Sequence, residues 1–167
     1  MTKFTNVDSL LTIEHKRKTH FRFSINLPEV IKNFEHGTPA LEERLKAAEK
    51  VSNAGYPLGF MIAPIFLEDN WQHNYLELLK TIKRFISDIP LSFELITHRF
   101  TKRAKSNILD VFPNTQLSMD EEKRRFKFGQ FGYGKYIYPK GLMSDAKEFF
   151  IKNINSLFKE ATVEYFV

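Results

Sequence analysis

PLGFMIAPIF, residues 57–66, is ten residues long and carries no charged side chain. An uninterrupted apolar run of this length suits a strand covered on both faces, the usual state of a central strand in a parallel sheet. The segments on either side fit that reading. TPALEERLKAAEKVSNAG, 38–55, spaces Leu41, Leu45, Ala48 and Val51 or Ala54 along one helical face. Thr38 is placed to cap this helix, Pro39 falls in its first turn and Gly55 ends it. Before it, HFRFSIN (20–26) alternates as a strand and LPEVIKNFE (27–35) reads as a short helix. After it, Asn70 to Ile86 is a helix with Trp71, Tyr75, Leu78 and Ile82 on one face, and LSFELITHRF (91–100) is a strand. KRAKSNILDVF (102–112) is a helix stopped by Pro113; SDAKEFFIKNINSLFKE (144–160) is the last helix and TVEYFV (162–167) the last strand. Strand and helix alternating at these spacings predict a parallel α/β sheet.

The composition is that of a globular protein: 43% hydrophobic and 27% charged over 167 residues, enough for one domain with a real core. The formal charge is +5, compatible with a nucleic-acid partner but not diagnostic unless the charges cluster. There is no cysteine, so disulfides, thiolate metal sites and iron–sulfur ligation from this chain are excluded. No secretory apolar run stands at the N-terminus, and no stretch approaches the roughly 20 apolar residues of a transmembrane helix. The expected compartment is the cytoplasm, with no membrane partner.

Near the N-terminus, KFTNVDSLL brings Lys3, Asn6 and Asp8 together. In parallel α/β sheets, ligand groups gather at the carboxyl ends of strands. Here such a group arrives almost before its strand, which predicts a sheet whose first part precedes this chain. A solvated terminus would have the same spacing. Ser24 and Asn26 end the strand at 20–26 and serve equally as pocket groups or as caps for the next helix. Glu35, His36 and Gly37 lie between helices, and no H-E-x-x-H run exists. Glu94, Thr97, His98 and Arg99 crowd the end of a strand, with Lys102, Arg103 and Lys105 just beyond. Basic groups opening a helix oppose its dipole, so either an anionic partner or neighbouring carboxylates must answer them.

RRFKFGQFGYGKYIY, 124–138, departs from the α/β pattern. Its two aromatic arms and three glycines predict an antiparallel hairpin inserted within 115–140. In a strand, Phe126 and Phe128 face one way and Arg125 and Lys127 the other, so one face can bury itself while the other stays basic. Rings that stack on bases beside cations that meet phosphates would suit nucleic acid; rings packed on the core with snorkelling lysines would suit a structural hairpin.

Taken together, KFTNVDSLL, FRFSIN, VIKNFEHGT, EERLKAAEKV, AGYPLGFMIAPIF, FELITHRFTKRAK, MDEEKRRFKFGQFGYGKYIY and VEYF resemble the C-terminal part of the spore photoproduct lyase family, in order and over essentially the whole chain. That resemblance implies an α/β fold: a partial (β/α) TIM-type barrel, its C-terminal half, as a single domain over 1–167 with the hairpin inserted. It implies radical S-adenosylmethionine chemistry with a [4Fe–4S] cluster, directed at 5-thyminyl-5,6-dihydrothymine in ultraviolet-damaged spore DNA, in the forespore or germinating spore. A radical taken from the cofactor removes hydrogen from the lesion's C6, the methylene bridge breaks, and a cysteine returns a hydrogen atom.

Residue by residue, the resemblance assigns Lys3 to the carboxylate of S-adenosylmethionine, Ser24 to the same cofactor, and the backbone at Ala63 to its adenosyl part. The hairpin matches the family's DNA-wedging element, giving Arg124, Arg125, Lys127, Gln130, Phe131 and Lys135 as nucleic-acid contacts. The family shows arginine and tyrosine where this chain has Gln130 and Phe131, so one cation and one hydroxyl are lost while a ring is kept. The cluster-binding C-x-x-x-C-x-x-C run and the hydrogen-donating cysteine are absent; in the family both precede the segment matched by Thr2 onward. The chain alone is therefore expected to be inactive, with the cysteines supplied by a longer protein or by a separate N-terminal chain. A non-catalytic DNA-binding module and an inactive remnant are the alternatives.

Overall fold

A computed structural model describes residues 1–129 and 132–167. Four parallel strands form the main sheet, ordered β1 (Phe21–Ile25), β2 (Leu58–Ile65), β3 (Leu91–Thr97) and β6 (Ala161–Phe166). Between them run α1 (Pro28–Phe34), α2 (Leu41–Asn53), α3 (Trp71–Phe85), α4 (Lys102–Val111) and α5 (Lys140–Leu157). A separate antiparallel pair, β4 (Arg125–Phe128) and β5 (Gly134–Ile137), is the predicted hairpin. The fold is thus mixed α/β around a parallel sheet. No helix among the described residues is long and apolar enough to cross a membrane.

Register explains which face is core. Phe23, Phe60, Phe93 and Val163 lie in one cross-strand row. The three phenylalanines are essentially inaccessible, and they meet Leu45, Val51, Leu79, Ile82, Phe150 and Ile154 from α2, α3 and α5. Full burial of one such ring contributes about 2–3 kcal/mol relative to exposure. The alternate row turns the other way: Ser24, Met61, Glu94 and Tyr165 are in register. Met61 and Ala63 are half-buried there, and Arg22 and Thr162 are exposed. The expectation that 57–66 is covered on both faces therefore holds for one face only. The second face is polar and tied by side chains: Arg22 donates to Glu94, Tyr165 donates to Glu94 Oε2 at 2.8 Å, and Ser92 Oγ sits 3.3 Å from His20 Nε2. Burial works to raise the Glu94 pKa, but the bonds from Arg22 and Tyr165 and the Arg22 charge outweigh it and hold the carboxyl below its ordinary range.

Three element boundaries differ from expectation. The second helix begins at Leu41, because the Thr38 hydroxyl is engaged elsewhere: it donates to the Glu35 carbonyl at 2.6 Å and accepts from Arg44 Nη2 at 2.7 Å. Glu43 Oε2 instead accepts the Ala40 N–H at 2.8 Å, closing the first turn. β3 ends at Thr97 and the chain then turns to pair Phe100 with Tyr136. α5 starts at Lys140 rather than Ser144, with Pro139 as its N-cap.

Candidate functional site

Lys3 sits at the outer edge of β1. The N–H of Thr2 donates to Arg22 O and the N–H of Ser24 to Thr2 O, both at 2.8 Å, so residues before Lys3 run parallel to β1 as a further strand would. Lys3 Nζ lies 3.0 Å from Glu35 Oε2, and Arg44 Nη2 lies 2.7 Å from the same oxygen. Arg44 is completely buried. Its Nε donates to Pro39 O at 2.8 Å and its Nη1 to Ser24 O at 3.0 Å, which fastens α2 to the carboxyl end of β1. Glu35 is thereby held between two cations, although neither carboxylate oxygen receives a well-aligned hydrogen bond.

Ser24 is buried on the row shared with Met61, and Ala63 lies two residues further along β2. Lys3, Ser24 and Ala63 therefore occupy the carboxyl side of three neighbouring chain segments. Asn26 is committed to the backbone: Nδ2 donates to Pro64 O at 2.8 Å and Oδ1 accepts the Leu27 N–H at 2.9 Å. It ties the end of β1 to the end of β2 and is not a pocket group. Asp8 pairs with Lys50 at 2.7 Å, while Asn6 and His36 are exposed.

The hairpin divides its two faces by period two, as alternation requires. Phe126 stands across from Tyr136, with ring centroids 5.1 Å apart; Phe128 meets Phe126 edge-on at 4.9 Å. The opposite face carries Arg125, Lys127 and Lys135, with Lys127 directly across from Lys135. The aromatic face is buried only in part: Tyr136 is buried against Phe100 and Met119, whereas the rings of β4 are not. All four residues of β4 are exposed, Phe128 at 79%. A two-stranded ribbon has no second layer of its own, so the rings of Phe126 and Phe128 rest on each other and on Tyr136. A Cβ on Gly134 would overlap the ring of Phe126, so glycine there makes room for that ring.

Arg124 differs in kind from the other hairpin cations. It is buried, its guanidinium carbon lies 3.4 Å from the centroid of the Tyr138 ring, and Nη1 donates to the His98 carbonyl at 2.9 Å. An arginine used this way anchors the hairpin to the end of β3 and is not presented to a phosphate. Tyr138 continues the anchor by accepting the Leu67 N–H at 3.0 Å. Gln130 and Phe131 lie outside the described residues. The basic opening of α4 is answered in part within the protein: Lys105 pairs with Glu121 at 3.1 Å, and Thr101 caps the helix by accepting the Ala104 N–H at 3.0 Å.

His98 is buried beside Arg124, with its ring 4.8 Å from that of Phe66, and its Nδ1 has no partner among the described residues. Burial and then the Arg124 charge push its pKa down to about 4, so it is neutral at physiological pH. The chain has no cysteine, and among the described residues no group of three or more His, Asp or Glu side chains is placed to hold a metal ion. The donor set does not fit an iron–sulfur cluster. It does offer a carboxylate-binding cation at Lys3 and a hydroxyl at Ser24.

A four-stranded parallel sheet with helices between its strands and a basic, aromatic hairpin beside it places the chain among the α/β proteins. The chain belongs to the spore photoproduct lyase family, whose model matches residues 1–167. It is 52% identical over all of its length to spore photoproduct lyase of Clostridium acetobutylicum and 48% identical over 99% of it to that of Bacillus subtilis, covering 50% and 49% of those proteins. Among solved structures, spore photoproduct lyase complexed with dinucleoside spore photoproduct superposes with a TM-score of 0.93 at 44% identity, over 99% of this chain and 50% of that one. A mutant with bound AdoMet and dinucleoside spore photoproduct matches equally well, at TM-score 0.93 and 44% identity over the same shares. The chain thus spans about half the length of the relatives it matches.

Proposed function

We propose that this chain is the C-terminal portion of a spore photoproduct lyase and forms the DNA- and cofactor-facing wall of an incomplete TIM-type (β/α) barrel. The polar, helix-free face of the sheet is then the barrel lumen, and the carboxyl rim is where ligands gather. The reaction served is repair of 5-thyminyl-5,6-dihydrothymine in spore DNA, within the forespore or germinating spore. S-adenosylmethionine, held against a [4Fe–4S] cluster, supplies the hydrogen-abstracting chemistry when bound.

In this reading the chain's own residues bind and orient. Lys3 supplies a cation for the cofactor's carboxylate, Ser24 a hydroxyl, and Ala63 a stretch of backbone. Arg125, Lys127 and Lys135 meet phosphates, and Phe128 and Phe126 present ring faces to bases; Gln130 and Phe131 belong to the same turn. No step is assigned to the cluster, since the chain has no thiolate to ligate iron. The cysteines come from outside these residues, in a longer polypeptide or in a separate chain, and alone the chain binds without repairing.

The observation that carries the reading is the pairing of Lys127 with Lys135 across the hairpin. Like charges directly opposite destabilise a ribbon, so folding does not explain them, whereas a polyanion does. The test is binding of a fluorescent duplex containing the lesion. Lys135→Ala should weaken binding and reduce the dependence of log K on log salt by about one unit per lost contact. Unchanged affinity and slope would remove the hairpin from the interface. The same absence of cysteine would suit a DNA-binding module without catalysis. Recovery of repair on adding a cysteine-bearing N-terminal segment separates that module from part of an enzyme.

A further inference from the structure

We infer that the DNA-binding surface extends off the hairpin onto the body of the protein, as a phosphodiester site built by Arg99, Lys140 and Lys147 together with the cationic face of the hairpin. The inference rests on the DNA-binding reading above.

A cavity of about 330 Å³ opens where the hairpin meets the carboxyl ends of β3 and β6 and the first turns of α5. Six cations line it: Arg99, Arg125, Lys127, Lys135, Lys140 and Lys147. No Asp or Glu side chain lines it, and among the described residues none of the six forms an ion pair with a carboxylate side chain. That contrasts with Lys46, Lys50 and Lys80, each of which has a carboxylate within 2.8 Å.

The cations come from three elements that have no reason of packing to converge. Arg99 follows β3. Arg125, Lys127 and Lys135 share one face of the β4–β5 ribbon. Lys140 and Lys147 are seven residues apart on α5, and Met143 and Ser144 between them also line the cavity, so one helical face points there. Crowding like charges in one hollow costs free energy. In keeping with that, burial and then the charges of Arg99 and Lys127 lower the Lys135 pKa.

An anion removes the repulsion. A single inorganic phosphate carries about two negative charges, too few for six cations; successive phosphates of a nucleic-acid backbone match both their number and their spread. The place is also consistent. Thr97, Phe166 and Val167 put the cavity on the carboxyl rim of the sheet, the same rim that carries Lys3 and Ser24. A backbone held there keeps a duplex against the rim while the hairpin's rings stay free for bases.

The test compares two triple variants of this chain for binding to a fluorescent lesion-containing duplex across a salt series. Arg99→Gln/Lys140→Gln/Lys147→Gln removes three cations of the site outside the hairpin. Lys46→Gln/Lys50→Gln/Lys80→Gln removes the same net charge elsewhere. Circular dichroism confirms that both fold, and Lys147→Glu alone gives a second, milder version of the first. The site variant should lower affinity about a hundredfold near 0.1 M salt and reduce the salt slope by two to three units, roughly 0.9 per phosphate contact. The control should change the slope by less than one unit. Millimolar inorganic phosphate should displace DNA no better than chloride of equal ionic strength.

Equal effects of the two variants would overturn the site, since only net charge would then matter. Salt-dependent wild-type binding unchanged in the site variant would also overturn it, while leaving the hairpin as the DNA contact. Displacement by phosphate beyond the chloride control would identify a single-anion site instead and overturn the backbone assignment. Failure of wild type to bind the duplex at 50 mM salt would remove both this inference and the DNA-binding reading.

Discussion

Arg124 lies against the face of Tyr138, with its guanidinium carbon 3.4 Å from the ring centroid, and from there donates to the carbonyl of His98. Two segments that flank the ribbon, one on each side, are thus locked together over the end of β3. The aromatic contact and the charged hydrogen bond are each worth about 2 kcal/mol when desolvated. Arg124→Ala should therefore destabilise the protein by about 3 kcal/mol in urea unfolding and loosen the hairpin. Arg124→Lys should recover less than half, because an ammonium lacks the flat face and the fork. Equal stability of wild type and Arg124→Ala would show that the stack carries no weight.

His98 gives a pH prediction. Its folded pKa, about 4, lies below the unfolded value near 6.5. The unfolded chain therefore binds this proton first, and stability falls as pH drops from about 6.5 to about 4, with no further change from this group below that. Between pH 7 and pH 5 the loss is about 2 kcal/mol, one pKa unit being 1.36 kcal/mol. Other groups titrate in the same range, so the measurement is the difference between wild type and His98→Phe in denaturant midpoints over this window. Parallel pH profiles for the two would contradict a neutral, buried His98.

Lys127 and Lys135 should show a conflict between stability and binding. Removing either one relieves a like-charge pair directly across the ribbon. Lys127→Ala or Lys135→Ala should leave the stability to unfolding unchanged or slightly raised, by up to about 0.5 kcal/mol, while DNA affinity falls. A substitution that lowered stability and binding together would point to a structural role for the lysine.

Arg44 is the largest fully buried side chain, joined to Glu35, Pro39, Ser24 and Thr38. Arg44→Leu leaves the Glu35 carboxylate buried with Lys3 as its one remaining cation, and breaking such a pair costs about 3–5 kcal/mol. The double variant Arg44→Leu/Glu35→Leu should be more stable than Arg44→Leu alone, by urea unfolding. No recovery in the double variant would mean that the carboxylate is not what Arg44 serves.

Much of this architecture can be read from the chain, and the exceptions have physical causes. The strands are legible because short apolar runs such as 57–66 are bounded by turn residues and helices at strand–helix spacing, and the hairpin because its residues alternate. Helix starts were less so. Thr38 looks like a cap, but Arg44 claims its hydroxyl from six residues along; Ser144 looks like a start, but Pro139 already opens α5. The role of Arg124 depends on Tyr138, fourteen residues away, and on a carbonyl of β3's continuation, which local pattern does not encode. The basic cavity is a middle case. Lys140 and Lys147 are spaced for one helical face, yet their meeting with Arg99 and the ribbon is a product of tertiary folding.

In the proposed function this chain supplies a binding wall while the electrons come from elsewhere. The direct test is anaerobic assay of the chain alone with dinucleoside spore photoproduct, S-adenosylmethionine and a strong reductant, after treatment with iron and sulfide. No thymidine product is expected. Thymidine released by the chain alone would contradict it.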